Sequence, residues 1–400
     1  MPMSSFKRRD FLKLSGLALP AIAQIVPSTS FADSASKDKI LKDSDAVYFI
    51  NDGIFYRPDD FIAQLQTIQA KDPIERDSYA TDGTMKKLLD KCIKITGKEA
   101  AIYMPSGTLA NQLAISVLGK SATKAFVQEK SHVYRDEGDA AQTLFNKRLI
   151  PLAADNHWFD EEELQQAVDV HEQGEAFAVP RAVVSIETPV RRADNRVFPL
   201  EEIKKIAEYC NSKGYKMHLD GARLHVASAY TGHAIADYAQ YFDTVYLCLY
   251  KYLGATGGAV LCGDKAVIDQ MHHLVKIHGG GIFTNWPNAA MALHHLEDID
   301  SVMQEVKDKS QTLFNLFNQM DGIQVEHPEH GSNISLMKTG KGIDSAKLRG
   351  HLRHEHNIIL GQPRQADGKI AVKTNATLLR RTNSQLVSAF EDAIRMAKIS

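Results

Sequence analysis

One lysine interrupts an otherwise apolar run. In "YLCLYKYLGATGGAVLC", Tyr246 to Cys262, Lys251 follows a strand-like stretch and precedes a cluster of glycines. An ammonium ion in such surroundings is costly to bury, so the amine is expected to be used. Two other polar groups stand in comparable places. "HLDGARLH" puts Asp220 just past a strand, with Gly221 and Ala222 leaving room above it, one strand-helix-strand step before Lys251. "MPSGTLANQ" puts Ser106, Gly107 and Thr108 between a strand and a helix start, where free backbone N–H groups and the positive end of the helix dipole suit a phosphate. An acid, an amine and a phosphate seat together describe a pyridoxal 5'-phosphate site. Asp220 would keep the pyridine nitrogen protonated and Lys251 would condense with the aldehyde. Taken singly, each signal has a plainer reading: a snorkelling lysine, a turn, a loop entering a helix. Their order and spacing make the set specific.

Such a site needs a frame, and the sequence supplies one. From Thr84 onward, short apolar runs alternate with amphipathic helical patterns. Strands are expected at Ala100–Met104, Lys124–Gln128, Ala182–Glu187, Lys216–Leu219, Thr244–Leu249 and Gly258–Cys262. "FDEEELQQAVDVHEQG" and "LEEIKKIAEYCNSKG" carry apolar residues at three-and-four spacing and end at glycine, as helices do. Continuous apolar strands separated by helices predict an α/β fold with a mostly parallel sheet covered on both faces, and ligands bound beyond the carboxyl ends of the strands. After Asn288 a long helical stretch leads into "NISLMK", a helix near "SAKLRGHLRHEH", a strand "KIAVK" and a last helix from Ser384, the pattern of a smaller C-terminal α/β domain. The expected division is an export signal at 1–32, a segment at 33–58 beside the small domain, a large cofactor-binding domain at 59–290 and the small domain at 291–400.

Composition agrees with a globular enzyme. The 400 residues are 44% hydrophobic and 24% charged with a net charge of -2, so neither nucleic acid nor a polyelectrolyte partner is indicated. The start of the chain differs. "KRRDFLK" precedes an apolar stretch from Leu14 to Val26 and a small-x-small pattern at Ser30-Phe31-Ala32. This reads as a removable export signal too short to span a bilayer. It resembles the twin-arginine type, which implies the twin-arginine export machinery as a partner, transport of the folded protein and a periplasmic location, without stable membrane insertion. Cys92, Cys210, Cys248 and Cys262 lack metal-like spacing; they are expected to be buried free thiols, and no metal is assigned.

The strings "SYATDGTMKKL", "GKEAAIYMPSGTLANQLAI", "SHVYRDEGDAA", "RVFPLEEIKKIAEYCNSKGYKMHLDGARLHVAS", "CLYKYLGATGGAVLCG" and "HGGGIF" resemble, in order and spacing, the threonine aldolase and β-eliminating lyase family of fold type I pyridoxal phosphate enzymes. The resemblance implies that Lys251 bonds the cofactor, Asp220 pairs with its ring nitrogen, and Ser106, Gly107 and Thr108 hold its phosphate. It also implies that His132 stacks on the ring and helps move the substrate hydroxyl proton, and that Arg223 pairs with the substrate carboxylate. A homodimer or homotetramer is implied too.

The pocket departs from the family. Tyr250 and Tyr252 flank the lysine where serine and glycine are usual. Phe283 stands where an arginine commonly reaches a phosphate, leaving Arg135 or Lys276 to compensate. Ala371 occupies a carboxylate-arginine slot, with Lys373 the nearest cation, and "FINDGIF" brings Asn51 and Asp52 to the pocket in place of an arginine-serine-aspartate string. The expected activity is cleavage of a threonine-like or phenylserine-like β-hydroxy-α-amino acid to glycine and an aldehyde. The alternatives are β-elimination releasing ammonia and a keto acid, and a non-catalytic exported binding protein on the same scaffold.

Overall fold

The computed structural model describes residues 45–177 and 182–399. The export-signal reading at 1–32 and residues 33–44 of the next segment lie outside the described residues. The described chain opens with a two-residue strand, β1 (Val47–Tyr48), and two helices, Pro58–Lys71 and Gly83–Thr96. It then builds seven strands: β2 (Ala100–Met104), β3 (Lys124–Gln128), β4 (Arg148–Leu152), β5 (Val183–Glu187), β6 (Lys216–Asp220), β7 (Thr244–Cys248) and β8 (Ala259–Gly263).

These seven form one sheet in the order β2-β8-β7-β6-β5-β3-β4. β8 runs antiparallel to β2 and β7, and every other neighbour pair is parallel. Residues of β3, β5, β7 and β8 are buried throughout, because helices cover both faces and leave no solvent side to pattern against. The helix Gly107–Gly119 crosses one face and is buried nearly all round, burying Leu109, Leu113 and Ile115 together with the polar Asn111 and Gln112.

One strand of the set, β4, was not expected from the sequence. "RLIPL" carries Pro151, which cannot donate to a ladder. β4 is an edge strand, the position where a missing N–H is tolerated.

The expected single long helix after Asn288 is two: Trp286–His295 and Ile299–Phe317. Asp298 stands at the N-cap position of the second, without a side-chain capping bond, and Asp300 lies in its first turn, an acidic N-terminal signature that the continuous apolar periodicity masks. Then come β9 (Ile323–Glu326), β10 (Ile334–Thr339), the helix Ser345–His356, β11 (Ile358–Ile359), β12 (Ile370–Lys373) and the helix Asn383–Met396. β9, β10 and β12 make a small antiparallel sheet, and β1 pairs in parallel with β11. Val47, Phe49, Leu352, Phe390 and Ile394 share a core there, separate from the core of the large sheet. All four cysteines are buried free thiols.

Candidate active site

The carboxyl ends of neighbouring strands bring the expected groups together. Asp220 ends β6 and Glu187 ends β5, and the two are register partners across the parallel pair. His132 starts a short helix shortly after β3, and its backbone N–H donates to Glu187 Oε2 at 2.6 Å. Ser106 is the N-cap of the Gly107–Gly119 helix, its hydroxyl accepting from the Leu109 N–H at 3.2 Å. That leaves the Gly107 and Thr108 N–H groups without intrahelical partners. Lys251 follows β7, its Nζ 5.3 Å from the centre of the Tyr250 ring.

One buried amide organises the floor. Asn111 Nδ2 donates to Asp220 Oδ2 at 2.9 Å and to Glu137 Oε1 at 2.7 Å. Its Oδ1 accepts from His218 Nε2 at 3.0 Å, which leaves His218 Nδ1 to accept from the Thr244 hydroxyl at 2.9 Å. Burial pushes the His218 pKa down to about 4, so this ring is neutral at neutral pH. Both N–H groups of the amide are thus committed to holding two carboxylates in place, and His218 fixes the orientation of the amide through its oxygen.

Glu137 accepts from His132 Nδ1 at 2.8 Å. The ligating atoms of His132, Glu137 and Asp220 all lie within 4.8 Å of one another. Burial opposes a charged His132 ring, but the Glu137 hydrogen bond and the charges of Asp220, Glu137 and Glu187 outweigh it and raise its pKa. Glu137→Gln removes one of those charges and is expected to lower the His132 titration midpoint, as followed by the imidazole NMR shift; an unmoved midpoint would refute the ion-pair account. Burial, helped by the nearby Asp220 charge, pushes the Glu187 carboxyl up to about 7.

A second cluster closes the site from the N-terminal segment. Arg223, 3% exposed, grips Asp52 with two hydrogen bonds, Nε to Oδ1 at 3.1 Å and Nη2 to Oδ2 at 2.8 Å. Lys373 Nζ and the Tyr252 hydroxyl also donate to Oδ1, at 2.9 and 3.0 Å. Asn333 Nδ2 donates to the same Tyr252 hydroxyl at 2.8 Å. Burial opposes the Asp52 charge, but Arg223 and Lys373 hold the carboxyl well below the usual range. Two cations and one anion leave the cluster one net positive charge.

The flanking Tyr252 therefore serves this cluster. Asn51 offers its backbone carbonyl to Asn375 Nδ2 at 3.1 Å, and the neighbouring Asp52 meets the cations. Gly53, at φ +95°, lets this segment approach the Lys251 backbone: a Cβ there would come within 2.6 Å of the Lys251 carbonyl oxygen.

Gly107 is just as constrained. A Cβ there would sit well inside contact distance of the Tyr246 hydroxyl and 2.6 Å from its ring. Gly107→Ala is expected to cost about 1–3 kcal/mol in denaturant unfolding through overpacking. Combined with Tyr246→Leu, the two costs should fail to add, because the residues share one space.

Of the two cations expected to replace the missing phosphate arginine, Arg135 is engaged by Glu129, its Nε donating to the Glu129 carbonyl at 2.9 Å and Nη2 to the carboxylate. Lys276 lies over the Tyr79 ring at 5.1 Å. Phe283 packs edge-on against Tyr79 with centroids 5.4 Å apart.

The sequence reading did not single out Asn111, Glu137 or Glu187. Glu187 had a usable signal, since it ends a strand as Asp220 does. Asn111 lies four positions past Gly107 in a helix otherwise apolar at that face, and Glu137 follows His132 by five.

The residues fit pyridoxal phosphate on one observation in particular. Asp220 is 2% exposed and accepts only from Asn111 and, at 3.1 Å, from the Ala222 N–H. Among the described residues no lysine, arginine or histidine nitrogen lies within 4.0 Å of it in an ion pair. A buried carboxylate in that state suits a protonated ring nitrogen.

Residues 62–339 match the model of a family described as beta-eliminating lyase. The chain is 33% identical over 287 residues to the low-specificity L-threonine aldolase of Candida albicans, covering 71% of this chain and 76% of that one. It is 27% identical over 290 residues to the low-specificity L-threonine aldolase 1 of Arabidopsis thaliana, covering 72% and 81%. The solved structure of a Leishmania major threonine aldolase superposes with a TM-score of 0.68 at 17% identity, over 87% of this chain and 99% of that one, a likeness of fold.

Proposed function

This chain belongs to the beta-eliminating lyase family, and on that footing we propose that it cleaves a β-hydroxy-α-amino acid of the threonine class into glycine and an aldehyde. It is a pyridoxal phosphate-dependent carbon–carbon lyase. When bound, the cofactor supplies an electron-accepting ring conjugated to the substrate nitrogen. Lys251 would anchor it through the amine, Asp220 would hold the ring nitrogen, and Ser106, Gly107 and Thr108 would hold the phosphate at the helix entry.

The remaining steps fall to the chain's own groups. The net positive cluster of Arg223, Lys373 and Asp52 attracts the substrate carboxylate and orients the amino acid. Breaking the bond between Cα and Cβ requires loss of the β-hydroxyl proton. His132 Nδ1 is engaged by Glu137, so Nε2 is the atom left to take that proton, and the Glu137 charge stabilises the imidazolium that results. Returning the proton to Cα completes glycine. The observation that carries the reading is this base pair, His132 with Glu137, held by Asn111 beside the Asp220 carboxylate.

Purified protein given L-threonine, L-allo-threonine and phenylserine should release glycine and the matching aldehyde. Glycine from none of them would remove the aldolase reading.

Two further parts belong to the same reading. The first 32 residues direct export by the twin-arginine route to the periplasm, consistent with a cofactor loaded before transport; Arg8→Lys with Arg9→Lys should leave the protein in the cytoplasmic fraction. A homodimer or homotetramer is supported by Tyr79 and Phe283, each about half exposed and packed on each other, and light scattering would read its mass.

A further inference from the structure

A second convergence of ligating groups lies on the helices around the small sheet. The helix Ser345–His356 carries His351 and His356, and the C-terminal helix Asn383–Met396 carries Asp392. Nε2 of His351 stands 2.7 Å, and Nε2 of His356 2.9 Å, from one and the same oxygen, Oδ2 of Asp392. The two ring centroids are 5.5 Å apart. The three side chains are 21%, 25% and 29% exposed, sheltered but within reach of solvent. The other carboxylate oxygen, Oδ1, is held by Arg395, which fixes the plane of the group. A single imidazole suffices to tie one helix to the other by a hydrogen bond. Two imidazole nitrogens aimed at one carboxylate oxygen, all on helices, compose the nitrogen-and-oxygen donor set that zinc takes.

We propose that His351, His356 and Asp392 bind one divalent transition-metal ion of the zinc class, through both Nε2 atoms and Oδ2, with water as the fourth ligand. The nitrogen–oxygen separations would open to roughly 3.3 Å, the edge of a tetrahedron whose bonds are about 2.0–2.1 Å. Rotation of partly exposed side chains provides that movement without shifting backbone. Leu348 and Leu352 of one helix and Leu386, Phe390 and Ile394 of the other already share a core. The ion would add a polar clasp at the rim of that packing, so its effect is on stability and not on the reaction. The site is distinct from the other His-and-carboxylate convergence, that of His132, Glu137 and Asp220, which belongs to the cofactor pocket.

The test uses the cofactor-loaded enzyme freed of metal and titrated with zinc chloride. One zinc per chain should bind at micromolar concentration or below, with a rise of several degrees in Tm. Cobalt(II) should give the visible absorption of a four-coordinate ion. His351→Gln and Asp392→Asn should each weaken binding by at least about tenfold, remove the Tm rise and leave glycine release unchanged. If Asp392→Asn fails to fold, His351→Gln and the wild-type Tm shift decide the matter. Equal zinc affinity in His351→Gln and wild type, with no Tm rise in either, would show binding to scattered surface histidines and overturn the proposal. So would the lack of stoichiometric binding in the wild type.

Discussion

Lys251→Ala is expected to lower glycine release by about 1000-fold or more while leaving the fold intact. Removing the residue proposed to bond the cofactor would eliminate the path that every later group serves, and losses of a bonded nucleophile are of that order or larger. The lysine side chain is only partly buried and lies against the Tyr250 ring, so its truncation opens no core cavity, and the unfolding free energy of the cofactor-free chain should change by less than about 0.5 kcal/mol. Three readouts separate chemistry from folding: glycine release, borohydride-fixed cofactor on the peptide containing position 251, and unfolding of the cofactor-free chain. A variant that still carries fixed cofactor at some other lysine would move the assignment away from Lys251.

The largest effect on stability is expected from Asp52→Ala. The substitution leaves the buried Arg223, 3% exposed, and the partly buried Lys373, 16% exposed, as two cations with no anion between them. Stripping one partner from a buried pair costs about 3–5 kcal/mol, because the remaining charge has lost both its water and its counterion. Burial already pulls the Lys373 pKa down, with the Asp52 charge opposing that pull, so the variant should also release a proton from Lys373 at lower pH. Acetate or formate, small enough to enter the vacated slot, should return part of the lost stability to Asp52→Ala and none to the wild type. If the anions leave the variant's unfolding midpoint unchanged, the lost stability does not come from the missing counterion, and the charge-pair account of Asp52 falls.

Much of the lysine site was legible because strand ends advertise themselves. Lys251, Asp220 and Ser106 are polar groups at the carboxyl side of apolar runs, and parallel sheets place such groups together regardless of what lies between them. The seven-stranded frame was legible for the same reason, except where Pro151 disguised an edge strand. The rest depends on contacts that local pattern does not encode. Asp52 and Arg223 are 171 positions apart, and nothing in "FINDGIF" reveals that its carboxylate will sit between two distant cations. Asn111 reads as an ordinary polar residue on a helix, yet its amide ties that helix to two other segments, β6 through Asp220 and His218 and the loop after His132 through Glu137. The aromatic neighbours of the lysine showed that the pocket had changed, but only the fold shows that Tyr252 reaches Asp52.

The reversed direction of β8 has a mechanical corollary. Lys251 sits in the short connection that leaves β7 at Cys248 and re-enters the sheet at Ala259, and those two residues are themselves register partners. Both ends of the connection are thus riveted to adjacent interior strands. Hinge or breathing motions elsewhere in the molecule cannot pull its two footings apart, so the amine keeps a fixed origin while the surrounding walls are free to open and close. Amide protons of β7 and β8 should accordingly be among the slowest in the protein to exchange with deuterium.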